Sequence, residues 1–142
     1  MLSARNVARY DVFDFERIAD ETGNLYVGEL AQLVNRSFGR IYFITSVPPG
    51  AVRGGHAHKQ QAECLICVQG RVVVRVEAGG RADDIVLGWP GRALYLPPGY
   101  WRDLVDFSPD AVLVVLASEP FDESDYIRDR PAFLRWEAAG AP

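Results

Sequence analysis

Long apolar stretches are missing from this chain of 142 residues. The longest, Ala111 to Ala117, falls far short of the ~20 residues that a membrane-spanning helix needs. Nor does a basic start lead into an apolar segment near the N-terminus, so the sequence lacks a secretory pattern and a cytoplasmic location is expected. Excess positive charge is absent as well. The net charge of -4 and a pI near 5.1 offer nothing general to polyanions, so neither nucleic acid nor an anionic membrane is an expected partner. Local clusters among the 15 Lys and Arg leave a small anionic ligand open. Cysteine is scarce. Cys64 and Cys67 form a C-x-x-C pair, the spacing of redox and metal motifs. They lie, however, in the β-type run Glu63-Cys64-Leu65-Ile66-Cys67-Val68, where positions three apart point to opposite faces. Two buried, inert thiols are therefore expected.

Helical periodicity is also sparse. A turn near Val34 to Phe38 and the tail from Asp125 to Glu137, the latter interrupted by Pro131, are the two places that could hold helix. Short apolar or alternating runs between Gly and Pro residues dominate instead. They predict strands over Asn24 to Leu30, Arg40 to Ser46, Gly54 to His58, Glu63 to Val68, Arg71 to Glu77, Asp84 to Gly88, Arg92 to Leu96, Tyr100 to Phe107 and Ala111 to Ser118. Gly79-Gly80 reads as a tight hairpin turn. In the Arg71 to Glu77 strand, Val72, Val74 and Val76 share a core-facing side, and Arg71, Val73 and Arg75 share the outward one. The class is all-β, a sandwich or barrel, and no repeat or linker divides the chain. One domain over residues 1–142 is expected, long enough to bury about two-thirds of its unfolded surface without a disulfide or metal.

Histidine occurs only twice, at His56 and His58. Two apart on one strand, both rings project from the same face, and Glu63 can return to that face from the next strand. Gly50 and Gly70 stand where the chain must turn sharply. Two imidazoles and a carboxylate thus converge on one cavity. Gly50, His56, His58, Glu63 and Gly70 carry the spacing of the first cupin motif, and Gly91, Pro97, Pro98 and Gly99 follow the second. This resemblance implies a cupin, a double-stranded jelly-roll barrel. Where the second motif places a ligating His, this chain has Arg102, a cation that ligates no metal.

Within the cupins the chain resembles the WxcM-like sugar 3,4-ketoisomerases over about residues 10–137. The likeness rests on Arg40-Ile41-Tyr42-Phe43-Ile44, Arg53-Gly54-Gly55-His56-Ala57-His58-Lys59, Asp106-Phe107-Ser108, Val114-Val115-Leu116-Ala117-Ser118 and Asp125-Tyr126-Ile127-Arg128. It implies an enzyme without metal or other cofactor that moves the ketone of a dTDP-linked 4-keto-6-deoxyhexose from C4 to C3. It also implies a homodimer in which an N-terminal strand crosses to the partner. The chain departs from the pattern at Glu63, where members have Gln, and at Arg102, where some have His. An ion pair between the two is expected to compensate both changes.

Histidine suits the proton transfers because its reference pKa of about 6.5 lets both protonation states be populated near neutrality. Lys59 beside His58 would disfavour its imidazolium, so His58 is expected to take the C3 proton, with His56 or Tyr42 returning one at C4. Arg40, Arg53, Lys59, Glu63, Arg102 and Trp101 are the candidate substrate-binding residues, the arginines offering charge to a diphosphate or an enediolate. Tyr26, Tyr95 or Trp101 could stack on a thymine. Three rivals share these residues: a metal-dependent cupin using His56, His58 and Glu63, a nucleotide-sugar 3,5-epimerase, and a non-catalytic sugar-binding cupin.

Overall fold

The computed structural model describes residues 9–30 and 36–140. Its strands are β1 (Asp11–Asp14), β2 (Glu16–Asp20), β3 (Gly23–Val27), β4 (Arg40–Thr45), β5 (Arg53–His58), β6 (Glu63–Gln69), β7 (Val72–Ala78), β8 (Arg81–Leu87), β9 (Arg92–Leu96), β10 (Trp101–Val105), β11 (Val112–Ala117) and β12 (Tyr126–Ile127), followed by helix α1 (Arg130–Ala138). Two five-stranded antiparallel sheets, in the orders β1-β9-β6-β11-β4 and β12-β5-β10-β7-β8, face each other, and β2 and β3 form a separate hairpin. This is the all-β jelly-roll barrel that the spacing of short strands predicts.

Alternation along each strand sorts side chains between the barrel interior and its outside. Val72, Val74 and Val76 join Leu65, Cys67, Leu94, Leu96, Leu113 and Val115 in the interior cluster. Cys64 and Ile66, one residue out of phase, pack outside that sheet against Phe13, Phe15 and Leu116. The two thiols therefore lie on opposite faces and are buried and unpaired. Burial pushes the Cys64 thiol up to about 12 and raises that of Cys67. Gly79 and Gly80, both at positive φ, make the turn between β7 and β8.

Four expectations need correction. Strands β1 and β2 carry too much charge for their length to read as strands, and β3 ends at Val27 rather than Leu30. Val73, placed on the outward face, is buried, because its cross-strand partners Val86 and Val105 flank it. Pro131 does not interrupt a helix. It occupies the first turn of α1, where its missing N–H costs nothing, behind the cap Asp129, whose side chain accepts from the Ala132 N–H at 3.0 Å. The turn expected from Val34 to Phe38 begins outside the described residues, and Arg36 to Phe38 are irregular.

Gly70 ends β6 at φ 74°, and a Cβ there would stand 2.8 Å from the Ala111 Cα and closer still to the Ser108 hydroxyl. Gly70→Ala is expected to cost about 2–3 kcal/mol, the left-handed penalty plus the displaced neighbours, and thermal unfolding checks it. An unchanged midpoint would show that the turn relaxes freely.

Candidate active site

Between the sheets the apolar interior stops short of one end, and a cavity of about 300 Å³ opens there, floored by Ile44, Leu65 and Leu104. Its polar wall comes from four strands. Strand β4 brings Arg40 and Tyr42, β6 brings Glu63 and β10 brings Arg102. The fourth, β5, carries a bulge: Arg102 pairs with His56 and Asp103 with Gly54, so Gly55 is the extra residue. The bulge shifts the alternation by one, and Arg53 and His56, three apart, both line the cavity. Glycine is required here. Gly54 and Gly55 have φ of 84° and 68°, and a Cβ on Gly54 would meet the Arg102 carbonyl oxygen at 2.9 Å.

Glu63 and Arg102 are both buried, and Nη1 of Arg102 donates to Oε1 of Glu63 at 2.5 Å. The other carboxylate oxygen accepts from the Tyr42 hydroxyl at 3.1 Å and from the Gln61 amide at 2.8 Å. Burial opposes ionisation of Glu63, but the Arg102 guanidinium outweighs it and holds the carboxyl far below its usual range. Tyr42 is driven the other way, well above the ordinary phenol range, by burial and then by the Glu63 charge.

The two histidines share a face but not an environment. His58 is fully buried and does not line the cavity; its Nδ1 lies 3.0 Å from Asp125 Oδ2, and its Nε2 lies 3.3 Å from the Gln61 amide nitrogen. His56 lines the cavity, and neither of its ring nitrogens has a partner. The Nε of Arg102, on the residue directly across the ladder, is also buried without a partner. Buried polar atoms are seldom left unpaired, so these three mark the place where a ligand would complete the hydrogen bonding. Burial, with help from the Arg102 guanidinium, brings the His56 pKa down to about 4.

Residues 8–138 match the family described as FdtA: WxcM-like, C-terminal. The chain is 36% identical over 127 residues to the TDP-4-oxo-6-deoxy-alpha-D-glucose-3,4-oxoisomerase of Aneurinibacillus thermoaerophilus, covering 89% of this chain and 91% of that protein. The chain belongs to the WxcM-like family. Among solved structures it resembles QdtA, a sugar 3,4-ketoisomerase of Thermoanaerobacterium thermosaccharolyticum, with a TM-score of 0.89 and 34% identity over 94% of this chain and 98% of that one. QdtA was solved with TDP and, as a histidine-to-asparagine mutant, with TDP-4-keto-6-deoxyglucose. A 3,4-ketoisomerase of Helicobacter canadensis matches with a TM-score of 0.87 and 33% identity, covering 91% and 97% of the two chains.

Of the candidate site residues, Arg40, Tyr42, Arg53, His56, Glu63 and Arg102 meet at the cavity. His58, Trp101, Lys59, Tyr26 and Tyr95 do not. Trp101 points away from Arg102, its strand neighbour, and packs on Phe133, ring centroids 5.8 Å apart, in the cluster beneath α1. Lys59 is exposed beyond the end of β5 and touches the site only through its backbone N–H, bonded to the Asp125 carbonyl at 3.0 Å. The positive charge expected beside His58 is absent, since Asp125 and Glu63 face the ring instead. Tyr26 packs on Trp89, and Tyr95 lies across from Cys64 on the outer face, so neither reaches the cavity. Tyr126 and Arg128 line it although they were given no role beforehand. Tyr126 pairs with His58 across the β5-β12 ladder and packs against both imidazoles, at 5.0 Å from His56 and 4.3 Å from His58. Its two-residue strand leaves no pattern to read.

The donor set does not fit a metal triad. Both Glu63 oxygens and both His58 nitrogens are engaged, and among the described residues no three His, Cys, Asp or Glu side chains are placed to hold a metal ion. Breaking the Glu63–Arg102 pair from one side should be severe. Arg102→Met is expected to destabilise by about 3–5 kcal/mol in urea unfolding, and the double change with Glu63→Gln to recover most of it. A single variant as stable as the parent would show that water reaches Glu63.

Proposed function

We propose that the protein is a sugar 3,4-ketoisomerase acting on TDP-4-keto-6-deoxyglucose, the ketone moving from C4 to C3 through an enediolate. One observation carries the reading: in a cavity lined with arginine, His56 stands with both nitrogens free directly across the ladder from the unpartnered Nε–H of Arg102. A base beside a fixed donor is what this chemistry needs. The identity to ketoisomerases over nearly the whole chain supports it.

The geometry favours His56, not His58, as the group that takes the C3 proton, because a ring sealed from the cavity cannot touch a sugar. Its depressed pKa keeps the imidazole neutral and ready at physiological pH. Charge then develops on the enediolate oxygens, where Arg102 Nε–H donates without having to reorganise. Within the enediolate the O3 proton passes to O4, and the imidazolium returns its proton at C4, leaving the ketone at C3. Tyr42 is a poorer donor, since its O–H is committed to Glu63. Arg40, Arg53 and Arg128 ring the mouth and offer the diphosphate its countercharge, and Tyr126 offers a flat apolar face.

This reading takes in one cupin domain with its core over about residues 10–137 and no cofactor. It also takes in a cytoplasmic setting, in keeping with two unpaired thiols; no helix among the described residues is long and apolar enough to cross a membrane. A homodimer is part of it as well: Ile41 and Phe43 on edge strand β4 are 55% and 65% exposed, more apolar surface than a solvated edge carries comfortably.

His56→Asn is expected to lower turnover by about 10²-fold or more while TDP affinity holds within about threefold. Wild-type turnover in that variant would remove His56 as the base. Because the neutral ring is the active form and its folded pKa is depressed, kcat/KM should persist as pH falls past 6 and decline only toward about 4. An acid limb near the ordinary histidine value of about 6.5, in enzyme still folded by circular dichroism, would contradict this. Sedimentation at micromolar concentration should give a dimer; a monomer would count against the edge-strand interface.

A further inference from the structure

The hydrogen bonds behind the cavity wall have a direction that can be worked out from one end. Nη2 of Arg40 lies 2.8 Å from Oε1 of Gln61. A guanidinium only donates, so the Gln61 atom facing it is the amide oxygen. The amide nitrogen then faces Glu63 Oε2 at 2.8 Å and His58 Nε2 at 3.3 Å, with one hydrogen for each. Glu63 Oε2 also lies near His58 Nε2, at 3.5 Å, but the amide is closer, so Nε2 accepts from it and the ring's proton sits on Nδ1, 3.0 Å from Asp125 Oδ2. A carboxylate only accepts, so the far end demands the same tautomer. Gln61 is 2% and His58 0% exposed, which leaves no water to absorb a mismatch.

We propose that Asp125 is a positioning residue for the reaction: by holding the Nδ1 proton of His58 it fixes the His58 tautomer, the Gln61 amide and, through them, the Arg40 side chain at the cavity. Asp125 does not line the cavity itself. Its carboxylate takes three donors, His58 Nδ1 and the backbone N–H groups of Gln60 and Gln61 at 2.7 and 3.2 Å, so it also clamps the turn between β5 and β6. Inverting the tautomer would point Nε2–H at the Gln61 amide hydrogens. Turning the amide to relieve that contact would set its hydrogens against Arg40. Arg40 keeps a second acceptor, the Glu119 carbonyl at 3.2 Å from its Nε, so losing the amide oxygen would turn the guanidinium rather than release it. This assignment gives the buried histidine a task that needs no contact with substrate. It rests on the reading that Arg40 binds the nucleotide sugar.

Asp125→Asn inverts the tautomer while keeping the shorter half of the clamp: the amide oxygen still accepts from the Gln60 N–H, and the amide nitrogen presents a donor to His58 Nδ1 in place of the oxygen that accepts from the Gln61 N–H. With only two histidines in the chain, 15N-histidine NMR resolves both rings. Wild-type His58 should carry its proton on Nδ1 and the variant on Nε2. TDP binding should weaken by about tenfold and the KM for TDP-4-keto-6-deoxyglucose rise equally, with kcat within about threefold. Gln61→Met cuts the chain between His58 and Arg40; it should weaken TDP as much and leave the His58 proton on Nδ1, which keeps the test open should the first variant fail to fold. Wild-type His58 protonated on Nε2, or a tautomer that inverts with TDP affinity and KM unchanged, would overturn the proposal. Wild type that binds TDP but leaves the sugar unconverted would instead overturn the isomerase reading, while the tautomer and TDP measurements still decide the role of Asp125. A wild type with no affinity for TDP would overturn both.

Discussion

The buried ion pair between Glu63 and Arg102 is the constraint on which the site depends. Each charge alone would be costly where both are 1–2% exposed; together they cancel. Around the pair the remaining groups have little freedom. Tyr42 and Gln61 donate to the other Glu63 oxygen, and Nη2 of Arg102 is tied to the Tyr100 carbonyl, while its buried Nε keeps no partner. The same guanidinium helps depress the His56 pKa. The two positions at which the sequence was expected to depart from the family pattern are thus one feature: an acid and a base bonded to each other.

A second constraint separates the two histidines. Alternation puts both on one face of β5, but the Gly55 bulge and the closing strand β12 set them in different surroundings. His56 meets the cavity with nothing bonded to its nitrogens, whereas His58 is enclosed by Asp125, Gln61 and Tyr126. Chemical reach and structural support therefore fall to neighbours in one short motif. A ring at the cavity must stay unsatisfied until substrate arrives, and a ring behind it must be satisfied at all times.

Most of the barrel was legible because strand alternation and glycine punctuation are local. Val72, Val74, Val76 and the two cysteines could be assigned to faces from spacing alone, and the motif positions His56, Glu63 and Arg102 could be grouped before any coordinates. What escaped depends on contacts distant in sequence. Asp125 and Gln61 are polar residues near turns, and their importance comes from His58 and Arg40, 67 and 21 residues from them, brought close only by the pairing of strands. Trp101 and Lys59 were misplaced for a simpler reason: motif membership says nothing about which face a residue takes, and Trp101 sits next to cavity-facing Arg102, hence on the other side, while Lys59 lies beyond the end of β5. Lys59 also misled the reading of His58. A neighbour in sequence is seldom the nearest charge once the strand end turns.

What happens to the sugar decides the reaction most directly. Wild-type protein incubated with TDP-4-keto-6-deoxyglucose in deuterated water and followed by proton NMR should give a 3-keto sugar, with the hydrogen at C5 retained and its configuration unchanged. A sugar that keeps its ketone at C4 while C3 and C5 take up deuterium would mark an epimerase, and one that binds without exchange at C3 would mark a binding module; either would contradict a ketoisomerase with His56 as its base.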